Sequence, residues 1–372
     1  TAMECDLTVE ELFKAYYDCR KTKRNTWNAL RFEERLERNL MDLYYELVGG
    51  SYAPGRSMCF VVTHPKPREV WAADFRDRVV HHLLYNRISE RFYRRFIVDT
   101  FACIPERGTL KAATRLEAFM RSASENYAKP TWFLKADIAN FFVTIDKGVL
   151  DALLAKQVTE PWWLGLCRTI LHHDPTRNVY VRSSDALMAR IPGHKSLFSS
   201  DGTTGLPIGN LSSQFFANVY LDPLDQFAKH RLKLRWYARY VDDIVALGEN
   251  GERMYAAYEA MAAFAETKLK IAFHPNKVSV NRIERGVNFV GYVVKPYCKY
   301  VRRSTLRNLR RKLRDKSVVR DAERLRATVN SYFGILRHAN AYTTRVKLSR
   351  ALRSRGHKTD LEATKMIGAS SK

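Results

Sequence analysis

The sequence predicts an α+β protein built from two or three subdomains that share a cleft. Three observations lead there. Apolar residues recur at helical spacing in long stretches such as 7–49 and 75–96. Short β-rich runs stand between them, at 56–63, 132–146 and 235–248. And 372 residues, 46% of them hydrophobic, exceed one small domain and can bury a sizeable core.

The elements follow in order. Leu7, Leu12, Phe13 and Tyr16, then Leu36, Leu40, Leu43 and Leu47, place two helices over 7–49, the second ended by Gly49-Gly50. RSMCFVVT (56–63) reads as a strand, and residues 75–96 read as a basic amphipathic helix. After a turn at Gly108 comes a helix near 111–126. WFLKADIANFFVTID (132–146) begins as an apolar strand and ends in a turn. Residues 174–206, with clustered Pro, Gly, Ser and Asp, read as a long irregular insertion or hairpin. A helix over 211–232 precedes RWYARYVDDIVALG (235–248), two short strands around a tight turn at Asp242-Asp243. A helix over 252–269 and strand-like pieces at 271–273, 278–283 and 287–294 follow. From 301 the chain reads as helical and very basic, ending in a tail over 356–372 that is expected to be disordered.

Charge points to a partner. There are 63 Lys and Arg against 39 Asp and Glu, a formal net charge of +24. Such an excess repels itself unless a polyanion neutralises it, and nucleic acid is the commonest one; the alternative is a merely basic enzyme. The positive charge is spread along the chain rather than gathered in one amphipathic segment, which argues against membrane binding. Six cysteines without a Cys-x-x-Cys pair argue against a zinc ribbon or disulfide framework and fit a reducing compartment. No apolar run reaches transmembrane length, and Glu4, Asp6, Glu10 and Glu11 interrupt any leader, so a cytoplasmic protein is expected.

Asp242 and Asp243 sit between β-forming flanks. An acid pair alone is most often a solvated turn. A third acid in a matching context changes that reading: Asp137 ends the apolar run WFLKA, so a carboxylate projects from a buried strand end. Three such acids can hold two Mg²⁺ ions about 4 Å apart, one activating a 3′-hydroxyl and one stabilising a leaving pyrophosphate.

Tyr240-Val241-Asp242-Asp243 resembles the YxDD box of reverse transcriptases, and KADIANFFVTID resembles their first palm motif, with Asp137 as its acid. In the family's order, PKPREVWAADFRDRVVHH (65–82) resembles the fingers motif and GLPIGNLSSQ (205–214) the nucleotide-floor motif. HPNKV (274–278) and GVNFVGY (286–292) resemble the lysine-bearing motif and the primer-grip hairpin. The resemblance covers about 65 to 340. It implies a right-hand polymerase: fingers, a palm with an antiparallel sheet, and a helical thumb. The corresponding spans are an N-terminal helical extension (1–55), fingers (56–130), palm (131–295, with the insertion at 174–206), a basic thumb (296–355) and the tail.

The resemblance also implies roles. Asp137, Asp242 and Asp243 would be catalytic and bind two Mg²⁺ ions, or Mn²⁺, with the Ile138 carbonyl as a further ligand. Lys66 and Arg68 would meet the triphosphate, unless they are ordinary surface charge. Phe142, beside Phe141, matches the position that blocks a ribose 2′-hydroxyl, the alternative being a core aromatic. Ile208, Gly209 and Gln214 would lie at the nucleotide; Lys277 would neutralise pyrophosphate, or else is an exposed loop lysine. Tyr240, Gly286, Phe289, Gly291 and Tyr292 would shape the primer site, and Arg302, Arg303, Arg307, Arg310 and Arg311 would track phosphates of the RNA/cDNA duplex.

One departure narrows the family. Many reverse transcriptases carry Gln where Ile208 stands, and Ile208 with Gln214 resembles the enzymes of diversity-generating retroelements. So do HKSLF (194–198), SQFFANVYLDPLDQF (213–227) and SYFGILRHANAY (331–342). That branch copies a template-repeat RNA and misincorporates opposite adenines. It implies dNTP substrates, a small basic oligomeric accessory protein and a bacterial or phage-infected cell. The alternatives are a defence-associated, retron or group II intron type enzyme, and a non-catalytic maturase-like RNA-binding scaffold.

Overall fold

The computed structural model describes residues 5–21, 26–64 and 66–369. The chain is α+β, and its short sheets are mostly antiparallel. It divides into two units: residues 1–98, 138–227 and 260–274 form the first, and 99–137, 228–259 and 275–372 the second. The span expected as palm is thus shared between them.

In the first unit, three helices stand where two were expected: Val9–Arg20, Trp27–Glu33 and Leu36–Val48. The unforeseen break falls at Arg35, whose backbone leaves helical angles (φ −135°, ψ 49°); residues 22–25 of this stretch lie outside the described residues. Thr8 and Glu11 form a reciprocal capping box that fixes the first helix start. That helix packs on the helix Phe75–Tyr93. Arg87 of the latter donates to Glu11 at 2.9 Å and to Asp6, and its guanidinium lies 5.0 Å from the Trp163 ring centre. A three-stranded sheet in the order Arg68–Ala72, Ser57–Val62, Val179–Val181 is antiparallel at the first pairing and parallel at the second. The expected insertion therefore contributes a strand, along with short helical turns at Asp185–Met188, Gly193–Lys195 and Leu197–Ser199.

In the second unit, four strands pair antiparallel in the order Trp236–Tyr240, Asp243–Gly248, Trp132–Asp137, Ser279–Arg282. The helix Thr109–Ala123 covers one face, packing Ala112, Leu116, Phe119 and Met120 against Phe133, Val245 and Leu247. A second antiparallel sheet, Val287–Phe289, Tyr292–Lys295 and Cys298–Val301, joins the same core through Val287, Phe289 and Val294. The helices Arg303–Lys312, Lys316–Val319, Ala322–Leu336 and Tyr342–Arg353 build a separate core around Val329, Phe333 and Leu336.

The disordered tail expected over 356–372 is a correction. The strands His357–Thr359 and Met366–Ala369 pair as a hairpin, and residues 370–372 lie outside the described residues. Met366 is buried in the helical core, and Asn330 brackets its backbone, accepting from its N–H at 2.6 Å and donating to its carbonyl at 3.2 Å. Asp360 closes the turn by accepting from the N–H groups of Thr364 and Lys365 at 2.7 and 2.9 Å. No helix among the described residues is long and apolar enough to cross a membrane, and no disulfide joins the six cysteines.

Candidate active site

The strand register brings the acids together. Asp137 is the last residue of its strand and lies directly opposite Asp243, so the two carboxylates share a sheet face. Along that face Phe133, Leu247 and Val245 are core, and the charged end begins at Lys135. Like charges directly opposite are destabilising unless compensated. Two lysines compensate here: Lys277 pairs with Asp137, and Lys135 Nζ lies 2.7 Å from Asp243 Oδ1. The latter contact is an ion pair without hydrogen-bond alignment, for Asp243 Oδ1 is a buried acceptor with no hydrogen bond.

Asp242 lies in the turn between the edge strand Trp236–Tyr240 and its neighbour Asp243–Gly248. Burial, and then the neighbouring charge of Asp137, hold its carboxyl well above the ordinary carboxylate range. Burial raises Asp243 as well, while Lys135 and Arg302 pull the other way. The turn is strained: Val241 has φ 55°, a left-handed conformation that a β-branched side chain rarely adopts.

The sequence from 65 to 294 matches the reverse transcriptase (RNA-dependent DNA polymerase) family, well over half of the chain. The chain belongs to the reverse transcriptase family. No curated protein matches it by sequence. Among solved structures it is similar to a telomerase of Candida albicans in complex with a fragment of telomeric RNA. That likeness has a TM-score of 0.53 at 10% identity, over 81% of this chain and 54% of that one. A truncated apo telomerase of Candida tropicalis aligns with a TM-score of 0.46 at 10% identity, over 70% and 59% of the two chains. At such identity the first likeness shows the fold alone, and this chain spans about half the length of that telomerase.

Reverse transcriptase domains generally use divalent metal ions, and the donor set here fits one. Its oxygens are carboxylate, hard donors of the kind Mg²⁺ prefers, and burial raises two of the three acids, a cost that a bound cation would offset. As placed, no group of three or more His, Cys, Asp or Glu side chains among the described residues converges on a metal position. Asp137 turns to Lys277 and Asp243 to Lys135 instead. Ile138, assigned a carbonyl ligand role, lies in the first unit, where it bridges Phe273.

The other segments singled out in the sequence lie within one unit or the other. In the first, the segment 205–214, expected as a nucleotide floor, is fastened by its backbone: Trp71 N–H donates to the Ile208 carbonyl at 2.7 Å, and Leu206 N–H to the Phe142 carbonyl at 2.7 Å. Asn210 Oδ1 accepts from Ala73 N–H at 3.1 Å. Gly209, at φ 125°, passes so close that a Cβ would sit 2.7 Å from the Trp71 carbonyl oxygen. Arg68 begins the strand containing Trp71 and is exposed, as are Lys66 and Gln214; Pro65, where the fingers motif starts, lies outside the described residues. Phe141 is buried against Tyr220, whereas Phe142 stays partly exposed. HKSLF is tied to the same sheet by buried Glu69, which accepts from Ser196 Oγ at 2.5 Å and Leu197 N–H at 3.0 Å.

In the second unit, Gly286 (φ 78°) and Gly291 (φ 94°) shape the hairpin expected to hold the primer terminus. Phe289 and Tyr292, counted among primer- and template-binding residues, are buried in its core, so they support the hairpin rather than offer a contact. Tyr240 is half-buried against that core. Arg303, Arg307, Arg310 and Arg311 line the exposed face of one helix whose other face buries Leu309. Arg302 caps this helix and has a buried Nε without a partner. Two residues escaped the sequence reading, Lys135 and Arg239. Period-2 spacing from Asp137 marks Lys135 as its same-face neighbour and could have found it. Nothing local marks Arg239, which is fully buried.

Proposed function

We propose that the chain is an RNA-directed DNA polymerase whose centre is Asp137, Asp242 and Asp243. The observation that carries this is the cross-strand pairing of Asp137 with Asp243 beside the YxDD turn, inside the family match. Asp137 and Asp242 would hold two divalent ions, with Asp243 supporting. Bound there, the ions supply activation of the 3′-hydroxyl and charge stabilisation of the leaving pyrophosphate. The chain's own residues do the rest. Lys277, already paired with Asp137, would carry positive charge to the departing phosphates, and Lys66 and Arg68 would bind the triphosphate. Phe142, partly exposed, would exclude a ribose 2′-hydroxyl, selecting dNTPs. The exposed arginines of Arg303–Lys312 would follow the RNA/cDNA duplex.

We further propose that it serves a diversity-generating retroelement in the cytoplasm. It would copy a template-repeat RNA with errors opposite adenine, beside a small basic accessory protein. What supports this is the Ile208 and Gln214 pattern, the HKSLF segment tied to Glu69, and the large positive charge.

Primer extension on an RNA template with Mg²⁺ tests the polymerase. The wild type should extend with dNTPs. Asp242→Asn should lose at least about 10³-fold of that rate while its melting temperature stays or rises, because a buried, repelled carboxylate has gone. Retained synthesis in that variant would defeat the assignment.

A further inference from the structure

We propose that Arg239 is a positioning residue of this centre: its guanidinium holds the Val241 carbonyl and thereby fixes the strained turn that presents Asp242. The purpose of the turn rests on the polymerase reading; the clamp itself does not.

Arg239 is 0% exposed, among the largest fully buried side chains of the molecule. A guanidinium is costly to bury unless it is engaged. Here Nη1 donates to Val241 O at 2.9 Å, reaching over the turn from two residues upstream. The base of the reach is anchored independently. Arg239 N–H donates to the Asp99 carbonyl at 3.0 Å, and its own carbonyl accepts from Phe101 N–H at 3.0 Å. Asp99 is itself buried and held by Arg115 at 2.7 Å and Lys229 at 2.9 Å. The arginine's backbone therefore cannot drift to follow the turn.

The carbonyl it holds belongs to the peptide unit joining Val241 to Asp242. The nitrogen of that same planar unit is Asp242's own, so holding the carbonyl fixes the peptide plane from which the acid departs. Val241 at φ 55° has reason to leave this conformation, since its branched Cβ favours extended backbone. Releasing the carbonyl removes a restraint on that relaxation and swings Asp242 with it.

Three variants and two readouts decide the matter. Arg239→Met keeps length and apolar packing, Arg239→Lys keeps charge without the fork, and Arg239→Met with Val241→Gly relieves the turn, because glycine adopts positive φ freely. In primer extension, the Met variant should lose about 100-fold in kcat, the effect of displacing a catalytic group by about 1 Å. KM for dNTP should stay within about threefold, since no substrate contact has been removed. Adding Val241→Gly should recover about tenfold. Amide hydrogen exchange over 239–243 should quicken in the Met variant and slow again in the double variant.

Full activity in Arg239→Met, or a double variant that is folded yet no better than the single, overturns the proposal. So does unfolding of all three variants, which would make Arg239 a general core residue. Exchange needs no catalysis: an inactive wild type would sink the polymerase reading while unchanged exchange at 239–243 would separately sink the clamp.

Discussion

The acid-bearing strands and the proposed nucleotide floor solve opposite problems. Around Asp137, Asp242 and Asp243 the backbone is mostly ordinary antiparallel ladder, and the chemistry lies in side-chain charge brought into register. Around Ile208 and Gly209 the anchoring atoms are backbone: a carbonyl taken by Trp71 and a missing Cβ against the same residue. The first region tolerates shape change better than charge change, and the second the reverse. Substitutions that alter only one property can therefore break the comparison.

The largest effect expected in the floor is steric. In Gly209→Ala the new Cβ would meet Trp71 O at 2.7 Å and Val70 Cγ1 at 2.9 Å, at a backbone angle that disfavours any side chain. Neither a carbonyl nor a strand can yield cheaply. A loss of about 2–3 kcal/mol in stability is expected, with a rise in KM for dNTP. Chemical denaturation and primer extension check it. A neutral change would mean that the floor is looser than its backbone bonds indicate.

How much of this was legible follows the same division. The acids, their strand and turn, and the exposed arginine face could be read because each is a pattern of residue types at a fixed period. Lys135 was readable by the same rule and was overlooked. Arg239 was not readable, because an arginine beside a YxDD turn looks like surface until Thr100 and its neighbours dock against it. The third N-terminal helix and the C-terminal hairpin were missed for a related reason. The first depends on a backbone break at Arg35, and the second on one methionine, Met366, finding a core far away in sequence. Tertiary burial decided the second.

A smaller effect concerns the helix that carries the floor motif's serines. Ser212 Oγ lies 3.4 Å from Nδ1 of buried His81. Burial, then the basic neighbours His82, Arg78 and His173, push this imidazole down to about 3. It is therefore neutral in the folded protein, and its contribution is fully present above the unfolded value of 6.5. As pH falls below that value the unfolded state gains a proton that the folded state refuses, and stability declines. One such group gives a slope of up to about 1.4 kcal/mol per pH unit. Measured between pH about 6.5 and about 4.5, where most carboxylates stay ionised, the slope should flatten in His81→Gln. Equal slopes in the two proteins would show that the imidazole is charged or replaceable. The contrast with the acids would then fail, since both regions would store unbalanced charge.

The finest test separates side chain from backbone within the floor itself. Ile208 gives its carbonyl to Trp71, and its side chain is only partly buried. Exchanging that side chain need not move the strand contact or the neighbouring glycine. Ile208→Gln therefore adds an amide to a frame held in place by other atoms. If the frame binds the nucleotide as proposed, the amide can hydrogen-bond where isoleucine can only pack. One such bond is worth about 1 kcal/mol of discrimination, a several-fold fall in misincorporation opposite template adenine. Total synthesis should be retained, and the melting temperature should hold, because no core contact has been lost. Sequencing the products of primer extension on an adenine-containing RNA reads both quantities together. An unchanged error spectrum with intact synthesis would locate infidelity away from this side chain. A collapse of synthesis would show instead that the isoleucine packs into the floor and that backbone and side chain cannot be treated separately there.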